Sequence, residues 1–152
     1  MTIYKIRFSE KGTSIDYANE HGDDFNLRTD DLPLDDFRDA IQSLEEPLRK
    51  ICNISNPNIT VRGITFSEKQ NKEIFTISGT TKVALSNSPF NINSPNVFNV
   101  LSELDDLVPN LSSDILAIKG YAEKFVNGER RKQEKLFKEP KKKKGKKNDS
   151  ED

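Results

Sequence analysis

Leu34, Phe37, Ile41, Leu44, Leu48 and Ile51 recur at spacings of 3, 4, 3, 4 and 3, the period of a single apolar helical face. On either side of this stripe the period changes to two. Tyr4, Ile6 and Phe8 alternate with Lys5 and Arg7, and Ile15 and Tyr17 resume the pattern after the turn-like Ser9-Glu10-Lys11-Gly12. Phe25 and Leu27 supply a third short strand beyond the polar loop Asn19–Asp24. Asp31 suits a helix N-cap, with Pro33 in the first turn. Pro47 removes a donor within the stripe, so the sequence predicts one kinked helix that ends at Asn56-Pro57.

A second strand pair follows over residues 58–67 and 73–85. Ile59 and Val61 share a face, while Ile64 and Phe66 restart the alternation one residue out of phase, which places a β-bulge at Gly63. Ser67–Lys72 is the turn, and Phe75, Ile77, Val83 and Leu85 hold one face of the partner strand. Residues 86–96 are rich in breakers and read as loop. Val100, Leu101, Leu104 and Leu107 mark a helix before Pro109. Ser112 caps another carrying Ile115, Ile118, Tyr121, Ala122 and Phe125, closed by Asn127-Gly128. The order β-β-β-α-β-β followed by helices predicts an α+β fold, a mostly antiparallel five-strand sheet packed with helices. A five-stranded Greek-key barrel with a helix between its third and fourth strands has the same order.

Composition narrows the chemistry. Of 152 residues, 33% are apolar and 32% charged, so the core is modest or part of the chain is unfolded. One cysteine excludes an internal disulfide and any multi-thiolate metal site. No apolar run is long enough to span a bilayer and no signal-peptide core precedes Arg7, which predicts a soluble, cytoplasmic protein without membrane association. The net charge of −1 is the sum of −6 over residues 1–127 and +5 over residues 128–152. The expected organisation is an α+β domain over 1–127, a helix extension or docking peptide over 128–137, and a disordered Lys-rich tail over 138–152.

Catalytic signals are sparse, and neither an enzyme nor a cofactor is expected. His21 lies among Glu20, Asp23 and Asp24, where a metal ligand or a base is conceivable, but a lone loop histidine is ordinarily a solvated turn residue. Cys52 at the end of the apolar stripe reads as a buried, inert thiol. No phosphate-binding glycine loop or nucleophile elbow occurs. Asp23, Asp24, Asp30, Asp31, Asp35, Asp36 and Asp39 crowd the start of the first helix, where its dipole favours them. The sharper alternative is an acidic surface that imitates DNA.

Gln133-Glu134-Lys135-Leu136-Phe137 is a Q-x-x-L-F pentapeptide. It resembles the peptide by which bacterial polymerases and repair proteins dock onto the DNA sliding clamp. The resemblance gives Gln133 a hydrogen-bonding role at the pocket rim, with Leu136 and Phe137 filling its apolar part. Glu134-Lys135 departs from the usual apolar residue followed by Ser or Asp. The competing reading continues the last helix through Arg130, Gln133 and Phe137, with Leu136 and Phe137 packing on the body. Lys141, Lys142, Lys143, Lys144, Lys146 and Lys147 suit a solubilising tail, a non-specific and salt-sensitive tether to DNA phosphates, or a nuclear import signal.

Ile59-Thr60-Val61-Arg62-Gly63-Ile64-Thr65-Phe66, Ser78-Gly79-Thr80 through Pro95, and Tyr121 through Arg130 ending in Leu136-Phe137 are together similar to a group of small tailed-phage and prophage proteins. The resemblance covers nearly all of residues 1–137 and includes no catalytic motif. It implies a phage or prophage setting in a bacterium, which favours clamp docking over nuclear import. The leading expectation is a non-enzymatic accessory protein of phage DNA replication or recombination. Its rivals are an inhibitor of a host defence enzyme built on Asp35, Asp36 and Asp39, and a barrel that stacks single-stranded DNA on Tyr4, Tyr17 and Phe66. Oligomeric state is not legible.

Overall fold

Thr2–Ser9 (β1), Gly12–Ala18 (β2) and Asp24–Thr29 (β3) form an antiparallel meander in the computed structural model, which describes residues 1–55, 58–82 and 88–132. Two helices follow, Asp35–Gln42 (α1) and Glu45–Cys52 (α2), and then the hairpin Ile59–Lys69 (β4) and Lys72–Thr81 (β5). Phe90–Asn93 (β6), Val97–Phe98 (β7), Leu101–Leu107 (α3) and Leu111–Val126 (α4) complete the order. The sheet runs β3-β2-β1-β4-β5-β6, with β7 on β5, and all pairings are antiparallel. The α+β class is therefore correct. A closed barrel would need the two ends of this path to pair; β3 and β6 do not.

The predicted alternations land from Ile6 onward, but Tyr4 does not share the face of Ile6 and Phe8. The β1 register slips between Ile3 and Lys5, so Tyr4 is exposed and Ile3 is buried in its place, and Phe25 is exposed as well. Ile6 faces Ile15 on one side and Ile64 on the other, and Ile64 faces Ile77. All four are buried and receive Phe37, Ile41, Leu44 and Leu48 from α1 and α2, and Ile115, Ile118 and Phe125 from α4. The register slips between Val61 and Gly63, so Arg62 is the extra residue of the bulge and both Val61 and Ile64 point into the core. Gln70 and Asn71 form the two-residue β4–β5 turn with φ of 56° and 62°, the geometry whose twist matches that of the flanking strands.

Other details differ from expectation. The turn read over Ser67–Lys72 shrinks to Gln70-Asn71, because Ser67, Glu68 and Lys69 stay paired with Ile74, Glu73 and Lys72. The apolar stripe is carried by two helices rather than one kinked helix. Pro47 lies in the first turn of α2, and its ring would collide with the carbonyl four residues back, that of Ser43, where α1 has its C-cap. Asp31 does not cap α1, which starts at Asp35 with no side-chain cap, because Leu32 is held in a strand-like bridge to Arg131. Ser112 does not cap α4 either: its amide and hydroxyl donate to the Asp105 carboxylate at 3.0 and 2.9 Å. The loop read over 86–96 contains β6, and among the described residues the sheet has seven strands instead of five. Four residues show too little alternation to signal a strand, and the free edge of β5 supplies the pairing. Val83 and Leu85 lie outside the described residues.

One polar knot ties helix to sheet. Glu73 on β5 accepts from Lys119 Nζ of α4 at 2.8 and 2.6 Å and from Asn99 Nδ2, and Lys119 lies 4.5 Å from the Phe66 ring centroid.

Gly63 is needed where β1 and β4 meet, since a Cβ there would stand 2.0 Å from the Ile6 carbonyl oxygen. Gly63→Ala is expected to lower unfolding free energy by about 1–3 kcal/mol, the usual range for overpacking. Urea denaturation measures this, and an unchanged midpoint would contradict the close approach.

Candidate functional site

The chain after α4 turns back and fastens to the body. Gly128, with φ of 109°, ends the helix, and Leu32 and Arg131 exchange backbone hydrogen bonds of 2.7 and 2.8 Å. Arg130 Nε lies 3.3 Å from Asp31 Oδ2, both side chains largely buried, and its guanidinium is 5.3 Å from the Phe125 ring centroid. Its Nη1 is buried with no hydrogen-bond partner. Arg131 Nη2 and Arg38 Nη2 both reach Asp35 Oδ1, at 2.8 and 3.0 Å. The folded body thus extends through Arg131. A helix continuing from α4 through Arg130 does not occur, because α4 ends at Val126. Gln133, Leu136 and Phe137, with Lys141, Lys142, Lys143, Lys144, Lys146 and Lys147, lie outside the described residues.

This clasp changes the meaning of the acidic cluster. Asp31 and Asp35 pair with arginines of this same chain, and Asp39 stands 3.8 Å from Arg38 Nε. Part of the negative field expected around α1 is neutralised locally.

His21 is exposed in the β2–β3 connection. Its amide and that of Asp23 both donate to Asn19 Oδ1 at 2.9 Å, a side-chain-organised turn. Among the described residues no group of three His, Cys, Asp or Glu side chains is arranged to hold a metal ion. Cys52 is half-buried, with Sγ 3.9 Å from the Asn93 carbonyl oxygen. Burial pushes its thiol above the ordinary value, which disfavours the reactive thiolate.

The helices cover one face of the sheet and leave the other open. On the open face Arg7 stands opposite Ser14, and Ser14 opposite Arg28, so one row crosses three strands. The next row is Lys5, Asp16 and Asn26. These residues border a groove of about 540 Å³ that also takes in Lys11 and Asp30. Asn26 Nδ2 donates to Asp16 and, at 3.3 Å, to Ser14 Oγ. Lys5, Arg7 and Arg28 are exposed and form no ion pair among the described residues. A second concavity, lined by Tyr4, Tyr17 and Phe25, shares Asp16 and Asn26 with the first. Tyr17 stacks on Phe25 with centroids 5.4 Å apart.

The aromatic candidates divide accordingly. Tyr4 is exposed, Tyr17 is half-buried on the helix-covered side next to Ile15 and packs against the core, and Phe66 is 4% exposed and belongs to the core. Sequence reasoning missed Lys5, Arg7 and Arg28 as a group. Alternation already placed Lys5 and Arg7 away from the core, but Arg28 joins them only through the β2–β3 register. No family model, no curated protein and no solved structure matches the chain. No helix of the described residues is long and apolar enough to cross a membrane.

Asp31→Asn removes the charge that faces the buried Arg130. It is expected to cost about 1–3 kcal/mol of stability, as for other buried groups left without a partner. The Leu32 and Arg131 amides should then exchange with deuterium faster than those of β1; protection equal to wild type at both amides would count against the clasp.

Proposed function

We propose that this chain is a non-enzymatic accessory protein of DNA replication or recombination in a phage or prophage setting, recruited to the DNA sliding clamp through Gln133, Leu136 and Phe137. The reading is carried by where the pentapeptide begins. Gln133 follows the clasped Arg131 by two residues, and α4 has already ended. The alternative of a helix that lays Arg130, Gln133 and Phe137 on one face loses its starting point. A short peptide with few apolar anchors suits weak, exchangeable docking. Lys141–Lys144, Lys146 and Lys147 add non-specific phosphate contacts whose strength falls with salt. On this reading the protein works in the bacterial cytoplasm. Imitation of DNA by Asp35, Asp36 and Asp39 is less well supported, since Asp35 and Asp39 already face Arg38.

Titration of a purified bacterial sliding clamp against the full chain and a Leu136→Ala/Phe137→Ala variant tests the proposal. Binding by wild type and at least a tenfold loss in the variant are expected. Equal binding, or none by either protein, rejects it.

A further inference from the structure

We infer that the groove over β1, β2 and β3 holds one phosphate group, either free phosphate or the monoester end of a small molecule, between Arg7 and Arg28 and above Ser14. The site does not depend on the clamp peptide. Its basis is convergence rather than unpaired charge, since Lys11, Arg62, Lys69, Lys72 and Lys124 also form no ion pair among the described residues.

Strand register brings the cations together. Arg7 stands directly opposite Ser14, and Ser14 directly opposite Arg28, all on the face turned away from the helices. Adjacent strands are about 4.8 Å apart, so the two arginine Cα atoms are roughly 10 Å apart with only a serine between them. Both guanidinium groups can lean over that serine, where they repel each other unless an anion joins them. Lys5 lies two residues along β1, about 7 Å from Arg7, and borders the same groove. One tetrahedral group above Ser14 is therefore within reach of all three. A phosphate offers oxygens to donors arriving from several sides, whereas a carboxylate presents two oxygens to a single guanidinium fork.

The neighbouring polar groups suit the same ligand. Asn26 Nδ2 donates to Ser14 Oγ at 3.3 Å and to the Asp16 carboxylate. Ser14 thus accepts from Asn26, and its own hydroxyl proton is left to donate to the anion. The same amide engages Asp16, a carboxylate of the Lys5–Asn26 row rather than of the Arg7–Arg28 row. Three cations less the charge of Asp16 leave two positive charges, which match the roughly −1.5 to −2 of a phosphate monoester at neutral pH. Lys11 and Asp30, by the β1–β2 turn, offset each other. The groove of about 540 Å³ is larger than one phosphate and falls in the range that receives a small organic ligand. Its remaining wall, with Ser9, Lys11 and Asp30, is polar and suits a hydroxylated organic part.

The test is a proton–nitrogen NMR titration of the full chain with inorganic phosphate, ribose 5-phosphate and succinate at constant ionic strength. Saturable shifts at the Arg7, Ser14 and Arg28 amides are expected with both phosphates. Arg7→Gln and Arg28→Gln should each weaken binding at least tenfold, as for loss of a charge-assisted contact, and Ser14→Ala should weaken it as well. Replacing the six tail lysines, 141–144, 146 and 147, by glutamine should leave these shifts saturable. Tighter binding of ribose 5-phosphate than of inorganic phosphate identifies a monoester as the occupant; equal or weaker binding identifies free phosphate. Succinate binding as tightly as phosphate, or arginine variants that bind like wild type, would overturn the inference. So would wild-type shifts that rise without saturation or are confined to residues 133–152, a result that no misfolded variant can mask.

Discussion

Phe37 is the contact on which the two layers depend. Its ring lies 5.1 Å from that of Phe8 on β1, 6.0 Å from Phe125 and 6.2 Å from Tyr121 on α4. One side chain of α1 thus fixes a strand, its own helix and the last helix at once. Edge-to-face and offset rings define relative orientation more sharply than aliphatic contacts do. Ile41, Leu44 and Leu48 extend the same seam over β4. With this face committed to the helices, the opposite face of β1–β3 is left to solvent, and its residues are chosen by charge rather than by packing.

How much of this was legible follows from where each constraint resides. Elements defined by their own periodicity were readable: the strands through Ile6 and Ile15, the bulge at Gly63 and the stripe from Phe37 to Leu48. Elements defined by a distant partner were not. β6 exists because β5 offers an unpaired edge, and the capping of α4 comes from Asp105 rather than from a residue beside it. The division at Ser43 was half legible. Pro47 announced a disturbance, but its ring acts four residues earlier, so the break stands upstream of the residue that causes it.

The surface was less readable for the same reason. Sequence distance hides the clasp, whose Arg131–Asp35 pair spans 96 residues. It also hides the row Arg7, Ser14 and Arg28, which only strand register assembles. The overall charge division into an acidic body and a basic end is correct as arithmetic, yet it conceals a local reversal on the open face. Charge summed over a segment says little about field over a surface, because folding sorts residues by face.

The Leu32–Arg131 bridge also has a mechanical meaning. Tension applied beyond Lys132 reaches the body first at this bridged pair, with the Arg131–Asp35 ion pair beside it and the Arg130–Asp31 contact behind it. The clasp is small beside the β4–β5 hairpin, so it yields before the sheet does. Residues 127–131 would then pay out first, as a fuse, while the layer built on Phe37 stays intact.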